Sequence, residues 1–160
     1  MRCVVFDKTG NSNWAVAWHQ DRTIVVRERA EVDGFGPWSV KQGLLHVAPP
    51  VDLLARMVTL RVHLDDCGRE NAPLKVALGS HLSGLVPASK ASAHAQACQI
   101  SVGIAKAGDV WAYSTLILHA SDRATIPNRR RVIQVDYAAF DLPGGLLWAG
   151  FDSYGTAAAG

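Results

Sequence analysis

The chain has 160 residues, 49% hydrophobic and 19% charged, which fits one globular domain with a substantial core and excludes a disordered chain. A formal net charge of +2 is too small to carry nucleic-acid or membrane-surface binding, and no apolar run approaches the roughly 20 residues of a membrane-crossing helix. Residues 1–7 lack the long apolar core of a signal peptide, and Cys3, Cys67 and Cys98 are odd in number and widely spaced; the expectation is a cytoplasmic protein with reduced thiols, without a disulfide framework or a zinc site.

Residues 3–6 and 15–18 read as strands on either side of a polar turn at 8–13. Residues 22–27 continue extended on the β-branched run Thr23-Ile24-Val25-Val26. The segment 28–50, with Gly34, Gly36, Pro37, Gly43, Pro49 and Pro50, is predicted to be irregular, a functional loop or lid. Trp38, Lys41 and His46 are its candidates for covering a substrate. A short helix is predicted over 51–57. In residues 58–64, Val58, Leu60, Val62 and Leu64 alternate with Thr59, Arg61 and His63, the pattern of a strand with one buried face. The polar face, with Arg61 and His63, looks either into a barrel mouth or into solvent.

A turn at 65–71 precedes a strand at 74–78, and the Ala/Ser-rich stretch 88–98 reads as helical. Residues 99–104, 110–118 and 130–139 read as three more strands, and a small-residue tail occupies 155–160. Eight short strands with about two helices and no internal repeat predict a sandwich or barrel. Among these, a double-stranded β-helix (jelly roll) suits the motifs that follow, because its mouth gathers residues from strands distant in sequence.

Trp18-His19-Gln20-Asp21 is answered 100 positions later by Leu118-His119-Ala120-Ser121. On an extended strand His19 and Asp21 leave the same face while Gln20 turns away. Two imidazoles and a carboxylate can occupy one face of an octahedral iron(II) ion, leaving three positions for a bidentate cosubstrate and dioxygen. An isolated His-x-Asp is more often a strand end. Here, however, His119 closes the apolar run Leu116-Ile117-Leu118, an unusual place for a histidine without a buried role. Arg129-Arg130-Arg131 follows where the next strand begins, and a guanidinium there can hold a carboxylate by its rigid fork. Strand alternation sends Arg129 and Arg131 to the face opposite Arg130, into solvent.

These motifs run in order with Phe6-Asp7-Lys8-Thr9, Gly34-Phe35-Gly36-Pro37-Trp38, His63-Leu64-Asp65-Asp66, Asn71-Ala72-Pro73-Leu74, Gly79-Ser80-His81, Gly108-Asp109-Val110, Arg130-Arg131-Val132-Ile133 and Leu142-Pro143-Gly144-Gly145. Over nearly its whole length the chain resembles the phytanoyl-CoA dioxygenase family of iron(II)- and 2-oxoglutarate-dependent oxygenases. The resemblance implies a mainly β, cupin-like jelly roll and a catalytic iron(II) held by His19, Asp21 and His119. It implies that Arg130, eleven positions after His119, grips the C5 carboxylate of 2-oxoglutarate with Ser121 beside it, and that Gln20 touches the cosubstrate. The resemblance further implies dioxygen as the oxidant and hydroxylation of a small organic molecule as 2-oxoglutarate becomes succinate and carbon dioxide. Arg61, Trp38 and Lys8 are candidates for facing that substrate.

Halogenating relatives replace the carboxylate ligand by a small residue, so Asp21 favours hydroxylation. Ala72 and Leu78 stand where relatives often have Gly and Pro, in structural turns. Family members usually carry a helical segment before the first motif, packed on the larger sheet, whereas here the match begins within the first ten residues. The expectation is a single domain over 1–160, read either as a natural short form or as an N-terminally truncated one; an apolar sheet face left exposed would favour homodimerisation or low stability. Two other readings stay open: a jelly-roll metal protein without oxygenase activity, against which Arg130 counts, and a catalytically inactive interaction module.

Overall fold

Eleven strands and two short α-helices succeed one another in a computed structural model that describes residues 2–149; the tail at 155–160 lies outside the described residues. The strands are β1 (Arg2–Lys8), β2 (Val16–His19) and β3 (Ile24–Val26), then the hairpin β4 (Trp38–Lys41) and β5 (Leu44–Val47). Helix α1 (Val51–Ala55) leads into β6 (Val58–His63) and β7 (Leu74–Ala77). Helix α2 (Ala91–Gln96) precedes β8 (Ile100–Gly103), β9 (Val110–Ser114), β10 (His119–Ser121) and β11 (Arg130–Tyr137).

All pairings between these strands are antiparallel. One four-stranded sheet has the order β1-β11-β6-β9, a second has β2-β10-β7-β8, and a three-stranded sheet has β3-β5-β4. Neighbours in both larger sheets come from distant parts of the chain, which is the mainly β, cupin-like jelly roll expected from the sequence.

Two expectations are corrected. The segment 28–50 is not wholly irregular: Gln42 and Gly43, both at positive φ (52° and 77°), form the two-residue turn that joins β4 to β5. Trp38 starts β4 and packs against the cluster of Ile24, Val26, Val47 and Leu54, so it anchors this hairpin and is not a lid. The predicted strand at 110–118 ends at Ser114 and restarts at His119. Thr115, Leu116, Ile117 and Leu118 are all buried, which one pleated strand with a solvated face cannot achieve. The turn between them carries the chain from the first sheet to the second, and so delivers His119 to the strand beside β2.

The alternation in β6 also resolves against the usual sense. Thr59, Arg61 and His63 are buried, whereas Val58 is 41% exposed. Inward-facing partners on β11 are Arg130, Val132, Gln134 and Asp136, and Lys8 joins them from β1, opposite Arg130. The interior face of this sheet is therefore largely polar. Four of its members pair across strands, as burial of polar groups favours: Arg61 Nη1 donates to Gln134 Oε1 at 2.9 Å, and Thr59 Oγ1 to Asp136 Oδ1 at 3.0 Å. On the outer side Arg131 forms a bidentate pair with Asp65 (2.8 and 2.9 Å), and Arg129 pairs with Asp7 at 3.1 Å. Both arginines are thus on the face alternation assigns them, but engaged in ion pairs; Asp65 is held at a pKa of about 2 by these hydrogen bonds.

Candidate metal centre

β2 and β10 lie side by side with His19 opposite His119, so the two imidazoles stand with ring centroids 4.2 Å apart. Asp21, two residues beyond His19, returns its carboxylate to the same spot: Oδ2 lies 3.8 Å from His119 Nε2. One ligand atom from each of His19, Asp21 and His119 falls within 4.8 Å of the others. Each imidazole faces a backbone carbonyl two residues earlier: His19 Nδ1 lies 2.8 Å from the Ala17 oxygen and His119 Nδ1 3.0 Å from that of Ile117. A proton on each Nδ1 satisfies those carbonyls and leaves each Nε2 lone pair for a metal, the arrangement that orients metal-binding histidines. Burial pushes the His119 pKa down, against the pull of Asp21, which favours the neutral ligand form. Two neutral nitrogens and one carboxylate suit iron(II) with open positions.

The three side chains line a cavity of about 200 Å³ that also receives Lys8, Arg61, Ser121, Arg130 and Gln134. Arg130 is 2% exposed; its Nη1 donates to the Ala72 carbonyl and lies 3.8 Å from Cys67 Sγ, while its Nε is buried without a partner. Burial lowers its pKa, although a guanidinium remains charged. Lys8 Nζ donates to the Trp14 carbonyl at 2.5 Å and approaches Ser121 Oγ at 3.5 Å. Burial, then Arg130 and Arg61, bring the Lys8 pKa down to about 8. Three cationic side chains against the single carboxylate of Asp21 make this cavity ready for an anion.

Among residues singled out in the sequence, Lys8, Arg61, Ser121 and Arg130 share the cavity with the triad. Gln20 is placed otherwise. Its Nε2 donates to the Gly84 and Leu116 carbonyls (2.8 and 2.7 Å), and its Oε1 accepts from Val86 N at 2.9 Å. That amide is committed to backbone groups of two loops, and Gln20 is not among the residues that line the cavity. Trp38 lines the hydrophobic core instead, and His46, buried in β5, lies 3.2 Å from Thr23 Oγ1. Gln134, Phe6 and Trp14 line the cavity and were not singled out. For Gln134 the signal was present: it is four residues after Arg130 on a strand, hence on the same face.

A family model described as Phytanoyl-CoA dioxygenase (PhyH) matches residues 2–132. No curated protein matches the chain. Several solved structures do. AviO1 from Streptomyces viridochromogenes Tue57 is 23% identical, with 85% of this chain and 48% of that one covered and a TM-score of 0.55. EctD from S. alaskensis in its apoform is 19% identical over 86% of this chain and 43% of that one, with a TM-score of 0.59. SnoN, a non-heme alpha ketoglutarate dependent epimerase from nogalamycin biosynthesis, is 18% identical over 94% and 54%, with a TM-score of 0.56. At these identities the likeness establishes the fold, and the chain spans about half the length of the solved structures it matches.

Proposed function

The chain belongs to the phytanoyl-CoA dioxygenase family, whose cofactors are iron(II), 2-oxoglutarate and dioxygen, and on that premise we propose that it hydroxylates a small organic molecule. The observation that carries the proposal is the convergence of His19, Asp21 and His119 with both Nδ1 atoms already committed to carbonyls. Bound iron(II) would supply the dioxygen chemistry, in which one oxygen atom enters a C–H bond and the other enters succinate as 2-oxoglutarate loses carbon dioxide.

The chain's own residues do the rest. His19 and His119 present neutral nitrogens, and Asp21 brings the one anionic ligand. Arg130, Lys8 and Ser121 line the same cavity and suit the far carboxylate of 2-oxoglutarate through charge-assisted hydrogen bonds. Arg61, 5% exposed, borders the same space. Burial strengthens each of these electrostatic contacts relative to water.

Anaerobic titration with iron(II) and then 2-oxoglutarate should develop a visible charge-transfer band, and Arg130→Ala should demand far more 2-oxoglutarate to reach it. No band in the parent chain, together with unchanged 2-oxoglutarate binding in Arg130→Ala, would sink the proposal. SnoN is an epimerase, so product mass must show one added oxygen atom for hydroxylation to stand.

A further inference from the structure

We infer that Gln134 is a positioning residue that holds the metal-binding carboxylate of Asp21, its amide oriented by Arg61. This rests on the metal reading of His19, Asp21 and His119 and goes beyond it. Gln134 sits on β11 directly opposite Arg61 on β6, and both side chains are buried beneath the cavity wall they help to line. Arg61 Nη1 lies 2.9 Å from Gln134 Oε1. Gln134 Nε2 lies 3.1 Å from Asp21 Oδ2 and 3.5 Å from Asp136 Oδ1.

The amide has one chemically sensible orientation. A guanidinium is only a donor and an ionised carboxylate only an acceptor. The oxygen must therefore face Arg61, and the nitrogen must face the two carboxylates. A side-chain amide is ordinarily ambiguous by a half-turn; here its three neighbours remove the ambiguity. The carboxylate it holds is the ligand carried two residues beyond the end of β2. His19 and His119 are each oriented by the carbonyl two residues earlier in the chain; the Gln134 amide supplies a corresponding constraint for the third ligand. Such supporting contacts typically govern metal affinity by about 10- to 100-fold.

The test measures Mn(II) affinity of the full chain by electron paramagnetic resonance of free Mn(II), alongside thermal melting. Gln134→Leu should bind Mn(II) at least about 10-fold more weakly than the parent. Arg61→Lys keeps the charge and loses the fork, so it should weaken Mn(II) in the same direction even if Gln134→Leu fails to fold. The double variant should be no weaker than Gln134→Leu alone, because both changes act through one amide. Thr59→Val, which touches Asp136 and not Asp21, should lower the melting temperature while leaving Mn(II) affinity within about twofold. Affinities of both single variants within twofold of the parent would overturn the inference while leaving the metal site intact. An equal loss in Thr59→Val would overturn it too, by showing a general loosening of the buried network. A parent chain that binds no Mn(II) would overturn the metal reading itself, and this inference with it.

Discussion

The two faces of the β1-β11-β6-β9 sheet reverse the usual arrangement of an apolar interior and a polar exterior. Inward lie Lys8, Thr59, Arg61, His63, Arg130, Gln134 and Asp136, all buried. Outward lie Val5 (61% exposed), Val110 (56%) and Val58 (41%). A polar interior is costly unless each group finds a partner or a ligand, and this one divides accordingly. Thr59, Asp136, Gln134 and Arg61 Nη1 bond to one another, whereas Arg61 Nε, His63 Nδ1 and Arg130 Nε are buried without a partner, the two arginines at the cavity. The contrast teaches that the face that would ordinarily be core is here polar and lines a cavity.

Changes at the inner face should therefore be felt most, starting with the metal ligands. Asp21→Ala leaves two imidazoles and removes the sole anionic ligand of the triad. Mn(II) affinity should fall by about 100-fold or more, and succinate formation should fall with it; unchanged turnover would show that the triad is misassigned. Arg130→Ala comes next. Removing one partner of a buried charge-assisted contact costs about 2–5 kcal/mol, so 2-oxoglutarate affinity should drop by roughly 30-fold or more while Mn(II) affinity holds. A variant that binds 2-oxoglutarate like the parent would move the anion site away from this wall.

The site was more legible in the sequence than the walls around it. His19, Asp21, Ser121, His119 and Arg130 are readable because each falls at a fixed offset within a motif, and strand periodicity says which way each points. Gln20 misled because its motif position suggested the cavity, while local packing gave its amide to Gly84, Leu116 and Val86. The hairpin of β4 and β5 was hidden by Gly and Pro, which mark turns but do not say that short strands lie between them. The break at 115–118 was hidden by continuous apolar character, which a strand and a buried turn share. For β6 the alternation was plain, yet periodicity gives the two faces without saying which is inside; that is decided by the partners Gln134 and Asp136, some 73 to 77 residues away.

Lys8 offers a finer test of the inner face through pH. Burial and two neighbouring guanidiniums bring its pKa from 10.5 to about 8. The unfolded chain thus keeps this proton to about pH 10.5, while the folded apo chain releases it near 8. Between those values the unfolded state binds more protons, so this group makes stability rise with pH across that window. A bound carboxylate favours the ammonium form. 2-Oxoglutarate affinity should therefore decline as pH rises through about 8, and binding above that pH should take up a proton. Calorimetry at pH 8.5 in two buffers of different ionisation enthalpy reads the uptake directly, and Lys8→Met should abolish it. Binding without proton uptake would place Lys8 away from the carboxylate.

The smallest expected effect is on the outer face, and the same substitution can be made on both sides of one sheet. Val132 on β11 is fully buried on the inner face, while Val110 on β9 is 56% exposed on the outer. Valine and threonine have nearly the same shape, so Val→Thr asks only whether a hydroxyl is taken out of water. At Val132 it should cost about 1–3 kcal/mol, read as a shifted denaturation midpoint at constant slope. At Val110 the change should stay within about 0.5 kcal/mol, as for other surface positions. An equal cost at both positions would mean that the outer face is covered in solution. In that case the Val110 effect should weaken on dilution if a second copy of the chain provides the cover, and should not if the cover belongs to the chain itself.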